Sequence, residues 1–260
     1  MPVTDIKPAL RKDRVRMLLF VKKREDLSYE EFSRYWKEVH APIFLGIDIV
    51  KKDVLLYEQL HVNQEVKKQL QAAGTQVPKY DGVVVIEVES LEKVLEVNQN
   101  PEYVEKVFGD AKNLFKMDNL EQGLYQVATI LDESARTEKR KTKLFIHVVK
   151  KDDMNYDEFS RYWREVHGPS FVDLRSSTGL ASDILKNEQL HVFAEGGANA
   201  MKALNSDGIS IMEAEKFEHI METVANEKFI KFAAEDGPNF VSKDKPFLFS
   251  PFDAVTFIDK

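Results

Sequence analysis

The stretch YEEFSRYWKEVHAP, running from Tyr29 to Pro42, recurs as YDEFSRYWREVHGP from Tyr156 to Pro169. Only Glu30/Asp157, Lys37/Arg164 and Ala41/Gly168 differ among the fourteen positions, and each exchange is mild. A repeat at this spacing divides the 260 residues into two copies of one unit, each large enough to bury a core. Further matches extend it. YEQLHV at Tyr57 to Val62 returns as NEQLHV at Asn187 to Val192, and YDG at Tyr80 to Gly82 returns as SDG at Ser206 to Gly208. The offsets are 127, 130 and 126, so the second copy carries a three-residue insertion before the second motif and a four-residue deletion after it. The division falls in the charged stretch DESARTEKRK, giving units 1–132 and 133–260.

Apolar patterning within the first copy predicts a strand over VRMLLFVKK, a helix over SYEEFSRYWKEVH and strands over DVLLYEQLHV and DGVVVIEVE. One broken helix or two short ones follow over SLEKVLEVNQNPEYVEKVF, then a last strand over GLYQVATILD. The second copy repeats this order from Leu144 to Asp259. A βαββαβ unit with both helices on one face of an antiparallel sheet is ferredoxin-like, and the class is α+β. Each sheet leaves one face uncovered, and two units in one chain can cover each other sheet to sheet. Ser28 or Asn155 caps the first helix, with Glu31 or Glu158 reaching back. Pro42 and Pro169 disfavour helical geometry at the residue before them, which predicts that the helix stops at His40 or His167.

The sequence contains no cysteine, which removes disulfides, iron–sulfur clusters, thiolate nucleophiles and the usual structural zinc sites. A net charge of -7 with mixed signs leaves no footprint for nucleic acid, and TEKRKTK at Thr137 to Lys143 reads as a solvated linker. The run MLLFV near the N-terminus is too short to cross a bilayer, and KPALRKDRVR before it is not followed by a secretory cleavage pattern. A cytoplasmic protein with no membrane partner is expected. Glu38 and His40, two apart on a helix, diverge, so no metal site is expected; EGGAN at Glu195 to Asn199 lacks a nucleotide-binding fingerprint and reads as a flexible connection.

Phe32, Trp36 and His40 are spaced by four, as are Phe159, Trp163 and His167, which aims each histidine at the sheet. This pattern, Phe, three residues, Trp, three residues, His, one residue, Pro, resembles the EthD family, a branch of the dimeric α+β barrel proteins. The resemblance implies two ferredoxin-like repeats forming an intramolecular dimeric α+β barrel, with a small molecule held between sheet and helices. Some fungal members resemble cofactor-independent decarboxylases, dehydratases or cyclases of aromatic polyketides, as in secondary metabolism, and related barrels include monooxygenases and haem binders. Fold alone does not carry chemistry across.

The residues themselves allow acid/base work. A histidine at a helix C-terminus feels a negative dipole that favours its cation, while burial favours the neutral ring, so His40 and His167 are candidate general acids or bases. The structural alternative is that they satisfy carbonyls at the helix end. Gln59 and His61 share a strand face, as do Gln189 and His191; that face looks either toward the helices or into the space between the sheets. Trp36, Trp163, Gln59, Gln189 and, after these, Asp81 and Asp207 are candidate substrate contacts. Asp81 and Asp207 read first as turn residues and second as groups that orient a histidine. Tyr35 and Tyr162 read as helix-flank packing.

His147 stands where the first copy has Phe20, and the second copy has a longer segment from Ser170 to Asp183, read as a loop. Three candidate histidines, His147, His167 and His191, therefore make the second copy the favoured working half. The expected function is a cofactor-independent, lyase-like enzyme acting on a small aromatic or polyketide-like carbonyl compound. The alternatives are a non-catalytic small-molecule-binding or assembly module and a cofactor-free monooxygenase.

Overall fold

The structure, a computed structural model, describes residues 7–137, 141–193, 206–245 and 247–260. The expected flexible connection at Glu195 to Asn199 lies outside these residues. Eight antiparallel strands close into a barrel: β1 (Val15–Val21), β2 (Val54–Val62), β3 (Gly82–Val88), β4 (Glu121–Asp132), β5 (Thr142–Val148), β6 (Ile184–Val192), β7 (Gly208–Ala214) and β8 (Leu248–Asp259). Within each half the spatial order is fourth, first, third, second strand, and the halves join through β2 with β8 and β4 with β6. Closure leaves none of these eight strands with a free edge. No helix among the described residues is long and apolar enough to cross a membrane.

Strand alternation sorts the side chains. Leu18, Phe20, Leu60, Phe145, Leu190 and Phe252, drawn from both halves, form one core inside the barrel. Met17, Tyr57 and Val84 face outward beneath the helices of the first half, as do Leu144 and Met212 in the second.

One mouth of the barrel is charged. Arg16 on β1 donates to Glu87 on β3 at 2.7 Å and to Glu188 on β6 of the other half at 2.6 Å. Lys143, at the repeat-equivalent position on β5, pairs with Glu213 on β7 at 3.1 Å and with Glu58 on β2 of the other half at 2.7 Å. Arg16, Glu58, Glu87, Glu188 and Glu213 are all buried. Burial alone would raise the Glu188 carboxyl, but Arg16 and Lys186 outweigh it and hold the group far below the usual carboxylate range. Arg16 and Lys143 thus each answer an acid of their own half and an acid of the other. Removing one member strands buried charge, a loss of about 3–5 kcal/mol.

The motif helix departs from expectation at its proline. Tyr29–Tyr35 is α-helical, Trp36–His40 makes a π turn, and Ala41–Gly46 continues the helix; the second half runs Tyr156–Tyr162, Trp163–His167 and Gly168–Thr178. His40 and His167 do not end the helix, and Ala41 and Gly168 are themselves helical. In the wider turn the Ala41 N–H donates to the Trp36 carbonyl, five residues back, and Pro42 sits in the first turn of the next segment, where a missing donor costs nothing. Ser170 to Asp183, expected as a loop, is mainly the rest of this helix, ended by Gly179 at φ 68°. The first half also inserts a helix, Gln64–Ala72, between β2 and β3, where two consecutive strands were expected. The SLEKVLEVNQNPEYVEKVF segment is broken as expected: Asn100 is extended at ψ 124° and its side chain caps the helix beginning at Pro101.

The six-membered rings of Trp36 and Trp163 press against Gly82 and Gly208 at the start of β3 and β7. A Cβ at either glycine would come closer to a tryptophan ring carbon than any contact a side chain tolerates. The repeated DG is therefore two demands in one dipeptide. Asp81 accepts the Lys23 backbone N–H and Asp207 that of Lys150, each at 3.0 Å, while the glycine leaves room for the ring. Gly208→Ala should destabilise the protein by about 1–3 kcal/mol through overpacking. Chemical unfolding would read the loss, and a Trp163→Phe change in the same background should recover part of it.

Candidate active site

Each motif histidine is held by a carboxylate from the helix preceding the last strand of its half. His40 Nδ1 lies 2.8 Å from Asp110 Oδ2, and the Tyr35 hydroxyl donates to Asp110 Oδ1 at 2.6 Å. In the second half His167 Nδ1 lies 2.6 Å from Asp236 Oδ2, and Tyr162 donates to Asp236 Oδ1 at 2.7 Å. Tyr35 and Tyr162 thus lock the carboxylate rather than pad a helix flank. Burial raises the Asp110 and Asp236 carboxyls, but hydrogen bonds from these tyrosines and histidines outweigh it, and both sit below the usual range. The Tyr162 hydroxyl is pushed up to about 12 by burial and by its acidic partner. His40 is lowered by burial, opposed by Asp110. The dipole account fails because the ring sits inside a continuous helical run; the opposing charge is a carboxylate.

The two aspartates were missed in the sequence, although a signal was there. Both stand three residues before an asparagine, Asp110 with Asn113 and Asp236 with Asn239, at the 126 offset of the DG motif.

A carboxylate on Nδ1 fixes that nitrogen as the N–H and leaves Nε2 as the acceptor. Both rings border a cavity between helices and sheet. That beside His167 has a volume of about 430 Å³ and that beside His40 about 270 Å³. The His167 side chain is 24% exposed and that of His40 6%. Aromatic rings frame His167, with Phe240 at 5.0 Å and Phe232 stacked at 5.2 Å.

The strand pair resolves to the helix side of the sheet, yet it does not border the cavities. Gln59 Nε2 donates to the Trp36 carbonyl at 3.0 Å, which orients its Oε1 toward His61 Nε2 at 3.2 Å; His61 Nδ1 then accepts from Ser33 at 3.0 Å. Gln189, His191 and Ser160 repeat the chain, with 2.8 Å from Gln189 to the Trp163 carbonyl. Both ring nitrogens of each histidine are occupied, and the amides stitch β2 and β6 to the π turns. Burial, aided by the nearby Arg164 charge, lowers His191 to about 3. Both tryptophans are buried; Trp163 borders the larger cavity, whereas Trp36 does not border the smaller one. Asp81 and Asp207 hold backbone and touch neither histidine.

His147 does not join His167 and His191. It points into the barrel with Phe20 and Tyr80, whose hydroxyl lies 3.2 Å from His147 Nε2 and donates to Ser250 at 2.6 Å. Strand alternation puts it on the opposite face of the sheet from the cavity. Burial lowers its pKa from 6.5 to about 3. The unfolded chain therefore takes up a proton below about pH 6.5 that the fold refuses, so stability declines as pH falls from there toward 3. His147→Phe, the residue of the first half, should spare about 1–2 kcal/mol of that loss at pH 5 and change nothing at pH 8, as measured by unfolding at the two pH values.

A closed antiparallel barrel with helices outside and a cavity under each helical layer defines a dimeric α+β barrel protein. Within that class the chain belongs to the EthD family: the EthD domain model matches it twice, over residues 24–118 and 151–244. A search of curated protein sequences finds no significant match. Among solved structures, the chain is similar to an anthrone oxidase-like protein (TM-score 0.58, 10% identity, covering 95% of this chain and 93% of that one). It is also similar to a proposed monooxygenase from Fusobacterium nucleatum subsp. nucleatum ATCC 25586 (0.57, 8%, 95% and 98%) and to a proposed chlorite dismutase (0.52, 9%, 92% and 94%). At these identities the likeness is one of fold.

Proposed function

We propose that the chain is a cofactor-independent enzyme that moves a proton on a small aromatic or polyketide-like carbonyl compound, with His167 as the working base. The observation that carries this is a carboxylate-held imidazole at the edge of a largely apolar cavity of about 430 Å³, within the size range of small-molecule sites. Asp236 accepts the Nδ1 proton, so Nε2 can remove a proton from the carbon beside a carbonyl. The resulting imidazolium is stabilised by Asp236, which Tyr162 keeps in place. For dehydration of a β-hydroxy ketone, the C–H electrons form the new C=C bond as the C–O bond breaks, and His167 returns its proton to the departing hydroxide. Ring closure uses the same base, with a second carbonyl carbon accepting the electrons and its oxygen taking the proton; decarboxylation uses the ring as the imidazolium, which delivers its proton to the carbon from which carbon dioxide departs. Each half is read here as a ferredoxin-like unit, which its strand order supports, and the chain as a pseudo-dimer.

A second reading shares the first step. Similar folds carry the names monooxygenase and anthrone oxidase-like. In an anthrone-type oxidation the deprotonated ring carbon takes one atom of dioxygen, the other leaves as water, and a quinone results. Oxygen uptake in the presence of substrate separates the two outcomes.

Against a panel of β-hydroxy aryl ketones and anthrones, His167→Ala should lower turnover by roughly 10²–10⁴-fold with the fold retained. Asp236→Asn, which removes the charge but keeps the shape, should lower kcat more than it raises KM. Equal turnover in His167→Ala and the parent would end the catalytic reading.

A further inference from the structure

We propose that the two halves are not equivalent sites: the cavity beside His167 takes the substrate and selects a fused aromatic ring bearing a hydroxyl or enol oxygen, which Asn187 and Ser210 hold. This rests on the acid/base reading and names the substrate class of that same site. The repeat offsets identify what stands at these two positions in the first half, namely Tyr57 and Val84.

Tyr57 fills its space. It is buried, packs against the tilted Phe44 ring at 4.1 Å, stacks on Phe257 at 5.3 Å, and its hydroxyl accepts from Gln59 at 2.8 Å. Asn187 stops short of that volume, and Val84 gives way to the smaller Ser210. The cavities differ accordingly, at about 430 Å³ against 270 Å³, and the smaller lies below the usual range of small-molecule sites.

The exchange also changes the chemistry of the wall. Asn187 Nδ2 donates to the Ile211 carbonyl at 3.1 Å and toward Ser210 Oγ at 3.5 Å. Those bonds use the amide hydrogens and leave Oδ1 as an acceptor, while Ser210, receiving an N–H, keeps its own proton to donate. Both residues line the cavity whose other walls are mainly aliphatic and aromatic. An acceptor and a donor side by side in such a wall complement a phenolic or enolic hydroxyl, which both donates and accepts. A ring lacking the oxygen would leave both groups unpaired in an apolar site, which is the arrangement that discriminates most strongly.

The larger cavity also draws on the other half. Leu70 and Thr75, from the inserted helix Gln64–Ala72 and the turn after it, line it, and the Gln76 carbonyl accepts from the Phe249 N–H at 3.1 Å. The second-half site is complete only when the first half is present, which gives the fused chain a reason to keep a half whose own cavity is narrow.

Binding of 2-naphthol and of naphthalene to the full chain, followed by fluorescence and calorimetry, tests the proposal. The parent should bind one 2-naphthol at least tenfold more tightly than naphthalene. Ser210→Val and Asn187→Tyr, which install the first-half residues, should each erase the preference, with circular dichroism confirming the fold; Ser210→Ala is the milder control and should weaken it. The reverse pair Tyr57→Asn/Val84→Ser should raise the stoichiometry to two. Two equal sites in the parent, or an unchanged preference in the folded variants, would overturn the inference. His167→Ala separates this from the catalytic reading: loss of turnover with binding retained supports both. A parent that binds 2-naphthol selectively but turns over nothing in the substrate panel would sink the acid/base proposal and leave the selectivity standing.

Discussion

The contact of Trp36 with Gly82, and of Trp163 with Gly208, sets the distance between helix and sheet on which the rest of each half depends. A ring pressed against a residue without a side chain fixes the helix in depth and in rotation. Around it the tryptophan carbonyl, which already accepts the N–H five residues on in the π turn, takes a second hydrogen bond from Gln59 or Gln189, so strand and helix are joined by a hydrogen bond as well as by packing. With the helix anchored at the tryptophan, the histidine four residues on is carried past the core to the border of the cavity. The phenylalanine four residues before the tryptophan is buried on the same side. One repeated motif therefore does two tasks: its first two aromatic residues hold the helix down, and its histidine meets the space that remains.

Joining the halves is a separate matter, settled inside the barrel. An apolar middle built from both halves gives association without direction, whereas the charged mouth gives register. Arg16 must meet Glu188 and Lys143 must meet Glu58 across the two seams, and a strand slipped by two residues would bury several unpaired charges. The pseudo-symmetry of these pairs follows from the duplication. Their departure from it, an arginine in one half and a lysine in the other, shows that the halves have diverged where both still fit. The cavities have diverged further, through Tyr57 and Asn187, because a wall facing empty space tolerates a change of size that a packed core does not.

Much of this is legible in the sequence. The repeat, the strand order, the capped start of the motif helix and the orientation of Phe32, Trp36 and His40 all follow from periodicity and local chemistry, which act between residues near in sequence. Where local rules misled, a nonlocal term had overridden them. Pro42 reads as a stop, but a five-residue turn accepts it and lets the helix run on. His147 reads as a third candidate beside His167 because both lie in one copy, yet strand alternation turns it into the barrel. Tyr35 and Tyr162 read as packing because their partners lie some 75 residues away.

What the sequence by itself determined is thus the unit and its duplication, the class of fold, and which helix face carries the histidine, since each is written in spacings of two, four and about 127 residues. Only the tertiary structure decided which groups meet. It paired His40 with Asp110 and His167 with Asp236, occupied both nitrogens of His61 and His191 elsewhere, and opened a larger space beside one histidine than beside the other. The reason is physical: hydrogen bonds and cavities depend on distances of a few ångströms between segments far apart in the chain, and those distances are set by how the helices rest on the closed barrel, which no local pattern encodes.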